Sequence, residues 1–165
     1  MKTGIAWKQS IREVKKSMKI RRVVTGHNRE GKSVVQWDSE VETKPGARSG
    51  TSSALVWASK ELPVRLTDED PGTWQIGTTI PGGSVFYIVR YDPGVAKRWH
   101  QTDSIDYAVV LSGEIFMELD EGEVHLKAGD VLIQRSTMHN WVNRGTETCM
   151  IAFVLIATEG GKNIG

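Results

Sequence analysis

This chain is short of cysteine, short of proline and has no long apolar run, and each shortage removes a class of protein. Its one cysteine, Cys149, excludes an internal disulfide. Cys149 opens the apolar run CMIAFVLIA, where it reads as a small buried hydrophobe. No segment approaches the ~20 apolar residues of a membrane-spanning helix, so no membrane partner is expected. An excess of one charge is missing too. The 21 Lys and Arg meet 20 Asp and Glu, for a net charge of +1, so no overall field draws nucleic acid. No basic strip interleaved with aromatics replaces that field. The first residues are basic without an apolar signal core, which leads to the expectation of a soluble, cytoplasmic protein. There is no Gly-x-Ser-x-Gly elbow, no Cys-x-x-Cys pair and no phosphate loop. The tail sequence Gly160-Gly161-Lys162 lacks the strand–loop–helix setting that such a loop needs.

What is present, in 165 residues, is enough chain for one domain with a buried core. Trp7, Ile11, Val14 and Met18 recur at helical spacing and predict a short N-terminal amphipathic helix over Ile5–Lys19, within a segment 1–20. Its flank carries Lys8, Arg12, Lys15 and Lys19, and its apolar stripe suits packing on the body of the protein or on a partner subunit. The pattern then turns to strands. Arg21–Gly26 and Lys32–Asp38 flank an Asn-Arg-Glu-Gly turn and predict a hairpin. Thr43–Ser53 reads as a loop, Ala54–Ser59 as a short apolar strand, and Thr67–Gly83 as a long connection. Residues 21–83 are thus expected to cover a core formed by 84–158, followed by a flexible tail, 159–165.

Six strands are expected in that core: Val85–Tyr91, Ile105–Leu111, Glu114–Leu119, Val124–Leu126, Val131–Gln134 and Met150–Ile156. Gly, Asp and Asn turns separate them. Many short strands with little helix argue for an all-β sandwich or barrel.

The chemistry-bearing residues lie in two segments of this core. In the first, His100, Thr102 and Asp106 are all even-numbered, so an extended chain aims them one way. Arg98 shares that register and is placed to hold an anionic group at a pocket mouth. The odd-numbered Trp99 and Tyr107 point away. The second segment, Gly129–Asn143, supplies His139, with Trp141 in register as an aromatic wall and Asn143 as a turn support. Gln134 is placed to bond a substrate carbonyl. Two readings stand for His100, Asp106 and His139. They hold a divalent ion (Fe, Mn, Zn, Ni or Co), or they line a metal-free pocket as hydrogen-bonding groups.

The spacing resembles the cupin superfamily in its small single-domain form. The first segment reads Gly94, five residues, His100-Gln101-Thr102, three residues, Asp106, six residues, Gly113. Thr102 stands where the family pattern has a second histidine and Asp106 where it has glutamate. The second segment opens at Gly129-Asp130 and closes with His139 and Asn143, with Arg135-Ser136-Thr137 in place of a Pro-x-Gly and one residue fewer. Fifteen residues separate the two, and the resemblance spans about Ser84–Ile156. It implies a double-stranded β-helix, or jelly-roll, barrel, a metal site at His100, Asp106 and His139, and pairing of two copies through their sheets. It also implies an enzyme acting on a small organic molecule. Asp106 and His139 are the catalytic candidates, and Thr102, Arg98, Gln134 and Trp141 the substrate-binding ones. Metal-assisted lyase or isomerase chemistry through an enolate-like intermediate leads. An iron dioxygenase and a non-catalytic ligand-binding domain are the alternatives.

Overall fold

The computed structural model describes residues 17–159. The strands run β1 Lys19–His27, β2 Ser33–Glu42, β3 Lys44–Pro45, β4 Thr51–Ser59, β5 Ser84–Tyr91, β6 Ser104–Ser112, β7 Glu114–Leu119, β8 Glu123–Lys127, β9 Val131–Arg135, β10 His139–Val142 and β11 Cys149–Ala157. A single 3₁₀ turn, Pro71–Thr73, interrupts the long connection before β5. All pairings are antiparallel. They form a hairpin β1-β2, a three-stranded sheet β10-β7-β8 and a six-stranded sheet β3-β4-β5-β11-β6-β9. The helix expected over Ile5–Lys19 falls outside the described residues except at its end, where Lys19 opens β1.

Alternation explains how the barrel closes. In β6 the even positions Ser104, Asp106, Ala108 and Val110 are buried, while Tyr107, Val109 and Leu111 face out. In β11 the odd positions Cys149, Ile151, Phe153 and Leu155 turn inward. They meet Ile115 and Met117 of β7, Leu126 of β8 and Trp141 of β10 in one core. Burial of about a Leu-sized side chain is worth ~2 kcal/mol, so this interior supplies most of the driving force. Cys149 is fully buried, and that burial pushes its thiol pKa up to about 11, so it behaves as a small hydrophobe. Gly113, at φ 72, closes the tight β6–β7 turn. A Cβ there would stand 2.6 Å from Thr148 O, so only glycine fits.

Two features depart from the sequence reading. The six-stranded sheet starts before residue 84, because β4 pairs along most of β5 and β3 pairs with β4. The predicted loop Thr43–Ser53 therefore ends in strand at Thr51. The second feature is β10, whose residues His-Asn-Trp-Val show no alternation and are almost wholly buried. Both of its faces pack against protein, so period two never appears in its sequence.

The β1-β2 hairpin is tied to the barrel by an ion pair whose arginine is buried and whose carboxylate is half-buried. Arg22 of β1 forks onto Asp70, with Nη1 to Oδ1 at 2.7 Å and Nη2 to Oδ2 at 2.6 Å. The same guanidinium donates to Val56 O of β4 and to Ser39 Oγ of β2. Arg22 is 6% exposed, so removing its carboxylate strands a charge in a dry setting. Asp70→Asn is expected to lower the unfolding free energy by about 3 kcal/mol in urea melts, while Arg22→Met combined with Asp70→Leu recovers most of it. A loss below ~0.5 kcal/mol for Asp70→Asn would show that the pair does not pin the hairpin.

Candidate active site

His100 lies outside the long strands and His139 opens β10, yet their backbones exchange two hydrogen bonds. His100 N donates to His139 O and His139 N donates to His100 O, each at 3.0 Å. Residues paired this way present side chains on the same face. Their imidazoles accordingly sit 4.3 Å apart, centroid to centroid. The chain between β9 and β10 turns at Ser136, which takes a left-handed φ of 51. Its hydroxyl donates to Thr102 O at 2.7 Å and its carbonyl accepts from Gln101 Nε2 at 2.6 Å. These bonds lock the two histidine-bearing segments together and offset the backbone strain.

The two rings line a small inner chamber of about 80 Å³ with Thr102, Asp106, Trp141 and Phe153. A wider outer chamber of about 330 Å³ shares His100, Thr78, Tyr87, Val89 and Tyr91 with it, and adds Arg48 and Arg98. His100, Thr102 and Asp106 do face one cavity, as period-two alternation predicts. Trp99 and Tyr107 are exposed and turned away from it. Trp141 forms the aromatic wall, edge-on to His139 at 5.8 Å and to Phe153 at 5.7 Å. Arg98 lines the outer chamber only. Asn143 supports the turn, donating to Tyr91 O and Glu147 O. Gln134, placed by sequence at a substrate carbonyl, does not line the cavity. It is buried behind His139, with Nε2 2.9 Å from His139 Nδ1 and 3.0 Å from Thr137 O.

Protonation follows from burial. Asp106 is 3% exposed, and loss of water pushes its carboxyl up to about 6, although bonds from Ser104 (2.5 Å) and the Thr102 hydroxyl favour the anion. The Thr102 contribution is weak, since its buried Oγ1 reaches full hydrogen-bond geometry with no group. Burial drives His139 down to about 4, with the nearby His100 and Arg48 adding to the effect against a bond to Thr137 O. Burial lowers His100 as well. Nδ1 of His100 meets Arg98 O at 3.1 Å and Nδ1 of His139 meets Thr137 O at 2.9 Å, which leaves each Nε2 as the atom free for a ligand.

This donor set tests the ion reading. Among the described residues, no three His, Cys, Asp or Glu side chains come together to hold an ion. Asp106 lines the same chamber as the imidazole pair, but its carboxylate is fastened to Ser104. Two imidazoles give an ion only two protein donors, so the residues present do not fit a three-ligand centre.

Three contributors were not singled out by sequence. Ser104 shares the even register of Asp106 two residues on, so the same alternation points to it. Asn140 is fully buried in β10, where it takes Arg98 N on Oδ1 at 2.8 Å and donates to Glu118 at 2.9 Å. Arg48 sits in the stretch read as a loop. Its Nη2 donates to Trp141 O at 2.6 Å and Asn140 Oδ1 at 3.1 Å, and its Nε donates to Ala96 O. No sequence signal marked Arg48 or Asn140.

The two shifted groups act oppositely on stability. Asp106, raised above its usual value, contributes stability below about pH 4 that is lost as pH rises through about 6. His139, lowered, loses stability as pH falls from 6.5 through about 4. Their slopes largely cancel over that range. Asp106→Asn removes the first slope and is expected to be more stable than wild type above pH 6 by roughly 3 kcal/mol, with the gain vanishing near pH 4. Denaturant melts across that range check this, and a gain independent of pH would show that Asp106 is not held neutral by burial.

The Cupin domain family model matches residues 87–156. Phomopsin biosynthesis cluster protein C′ of Diaporthe leptostromiformis is 41% identical over 133 residues, covering 74% of this chain and 70% of that protein. The cupin-domain-containing oxidoreductase fogC of Aspergillus ruber is 32% identical over 144 residues, covering 82% and 71%. Among solved structures, the polyketide cyclase RemF from Streptomyces resistomycificus superimposes with a TM-score of 0.52 at 16% identity, covering 73% of this chain and 76% of that one, a likeness of fold. The jelly-roll barrel, the two motif segments and relatives of this identity agree: the chain belongs to the cupin family.

Proposed function

We propose that this cupin is an enzyme that moves a proton on a small organic substrate bearing a carbonyl, enol or carboxylate group, in non-redox lyase or isomerase chemistry. The observation that carries the reading is a buried carboxyl poised near pH 6, Asp106, in one small chamber with an imidazole held neutral down to about pH 4, His139. A base of that strength is ionised at neutral pH and retains the driving force to take a proton from carbon. It then returns the proton to another carbon in an isomerisation, or to a departing hydroxyl in a dehydration. The free Nε2 atoms of His100 and His139 meet the substrate's hydroxyl or enol oxygen, and the aromatic walls exclude water from the intermediate. Gln134 acts through Thr137, donating to the carbonyl that accepts from Nδ1 of His139 and so fixes its ring.

A second reading is favoured by the names of two relatives, the cupin-domain-containing oxidoreductases fogC and virC. It is iron-dependent oxygenation. On the first reading, the protein exchanges carbon-bound hydrogen for deuterium in enolisable 2-oxo and 1,3-dicarbonyl acids, followed by NMR in heavy water. The rate should rise through about pH 6 and fall by roughly 10²–10⁴ in Asp106→Asn. Stoichiometric iron with oxygen uptake and no exchange would replace it with the second.

The outward face of β6 and β9 supports a homodimer as part of the same proposal. Tyr107 pairs with Ile133 and Val109 with Val131, and all four are exposed beside Leu111. Such an apolar strip is suited to cover by a second copy. Sedimentation should give a dimer that Ile133→Lys dissociates, and a wild-type monomer at micromolar concentration would remove it.

A further inference from the structure

The outer chamber holds two guanidinium groups and no acid. Arg48 and Arg98 both line it with His100, and neither Asp nor Glu does. Arg48 is only 9% exposed, and among the described residues it has no carboxylate partner. Its bonds go to neutral groups, the carbonyls of Ala96 and Trp141 and the amide oxygen of Asn140. Burial lowers its pKa, and Arg98 nearby adds to the effect. A buried cation beside a second cation is costly unless an anion joins them. The bonds to Arg48 run through Nε and Nη2, so its Nη1 is uncommitted among them. The Arg98 side chain is exposed and makes no hydrogen bond or ion pair among the described residues, while its backbone is fixed through N to Asn140 Oδ1 and O to His100 Nδ1. One buried asparagine thus sets both arginines, and Arg98 in turn holds the ring of His100.

We infer that Arg48 and Arg98 are the receptor for a carboxylate on the substrate, whose apolar body runs between Tyr87, Val89 and Tyr91 to the inner chamber at Asp106. The assignment rests on the substrate-processing reading above and narrows its substrate to a carboxylic acid with an unsaturated or aromatic body. A guanidinium fork matches a planar carboxylate. Phosphate is less suited, because the described residues offer no helix N-terminus at this chamber to supply the backbone N–H groups that usually hold it. The shared lining residues set the distance between the two functions. The acid is gripped in the outer chamber while a carbon farther along reaches Asp106.

Benzoate, benzamide and phenyl phosphate serve as probes by calorimetry or ligand-observed NMR. Benzoate should bind at least about tenfold more tightly than benzamide and more tightly than phenyl phosphate. Arg98→Gln breaks no bond in the fold and should weaken benzoate several-fold without changing benzamide. Arg48→Gln should weaken it by about tenfold or more, with circular dichroism confirming that the variant is folded. Asp106→Asn should keep or strengthen benzoate binding. Equal affinity for benzoate and benzamide, preference for phenyl phosphate, an Arg98→Gln variant that binds benzoate as wild type, or no benzoate binding up to high millimolar concentration would each overturn the assignment. Charge-dependent binding with no deuterium exchange would sink the catalytic reading and leave the receptor standing. Exchange lost in Asp106→Asn, with binding indifferent to both arginines, would do the reverse.

Discussion

Everything at the site depends on two backbone hydrogen bonds, those that His100 and His139 exchange. They join segments 39 residues apart in sequence (139 minus 100) and oblige both imidazoles to stand on one face. From that constraint the rest follows. The ring centroids stand 4.3 Å apart, so His100 opposes the protonation of His139. Thr137 O then accepts from Nδ1 of His139, with Gln134 Nε2 donating to that same carbonyl, and Arg98 O takes up Nδ1 of His100. Had the same side chains met through flexible loops, burial would have moved them to water. The ladder denies them that escape.

The two chambers carry opposite electrostatic problems. The inner one buries an acid whose carboxyl burial raises to about 6, against the hydroxyl of Ser104 and, weakly, that of Thr102, which favour the anion. The outer one gathers two cations among neutral acceptors. Placing Arg48 next to Asp106 as an ion pair would have relieved both, at the expense of the properties that make either group reactive. Asn140 separates the two systems. It lies in the strand that carries His139, bonds Arg48 on one side and passes its amide protons to Glu118 on the other. Both the oxygen and the nitrogen of its side-chain amide are satisfied, which fixes the backbone of Arg98 and one edge of the Arg48 guanidinium.

Stability outside the site comes from ordinary sources. The apolar faces of β5, β6 and β11 pack on β7, β8 and β10, and the N-terminal hairpin is attached by the Arg22–Asp70 fork. The scaffold thereby tolerates the shifted groups within it, which reduce stability at neutral pH in the case of Asp106.

Much of this was legible in the chain. The Gly, Asp and Asn turns marked β5, β6, β7 and β11 to within a residue or two, and along β6 and β11 burial alternates with period two, one face in the core and one elsewhere. The same alternation aimed His100, Thr102 and Asp106 at a common cavity. The hairpin turn at residues 28–31 was legible too, since Asn28 closes it by accepting from Glu30 N and Lys32 N. Strand β10 was not, being covered on both faces and too short to show a period. Gln134 was assigned to substrate because a strand-end amide looks free until its neighbour across the turn is known. Arg48 gave no sign, for a lone arginine in a Gly- and Ser-rich stretch is the same in sequence whether solvent or carbonyls surround it. Local pattern therefore determined the barrel and the direction of the ligand-type side chains, since both depend on backbone period. Which of them touch, which stay neutral and where the cations gather was decided by the folded chain alone, because pairing and desolvation depend on residues that the sequence holds far apart.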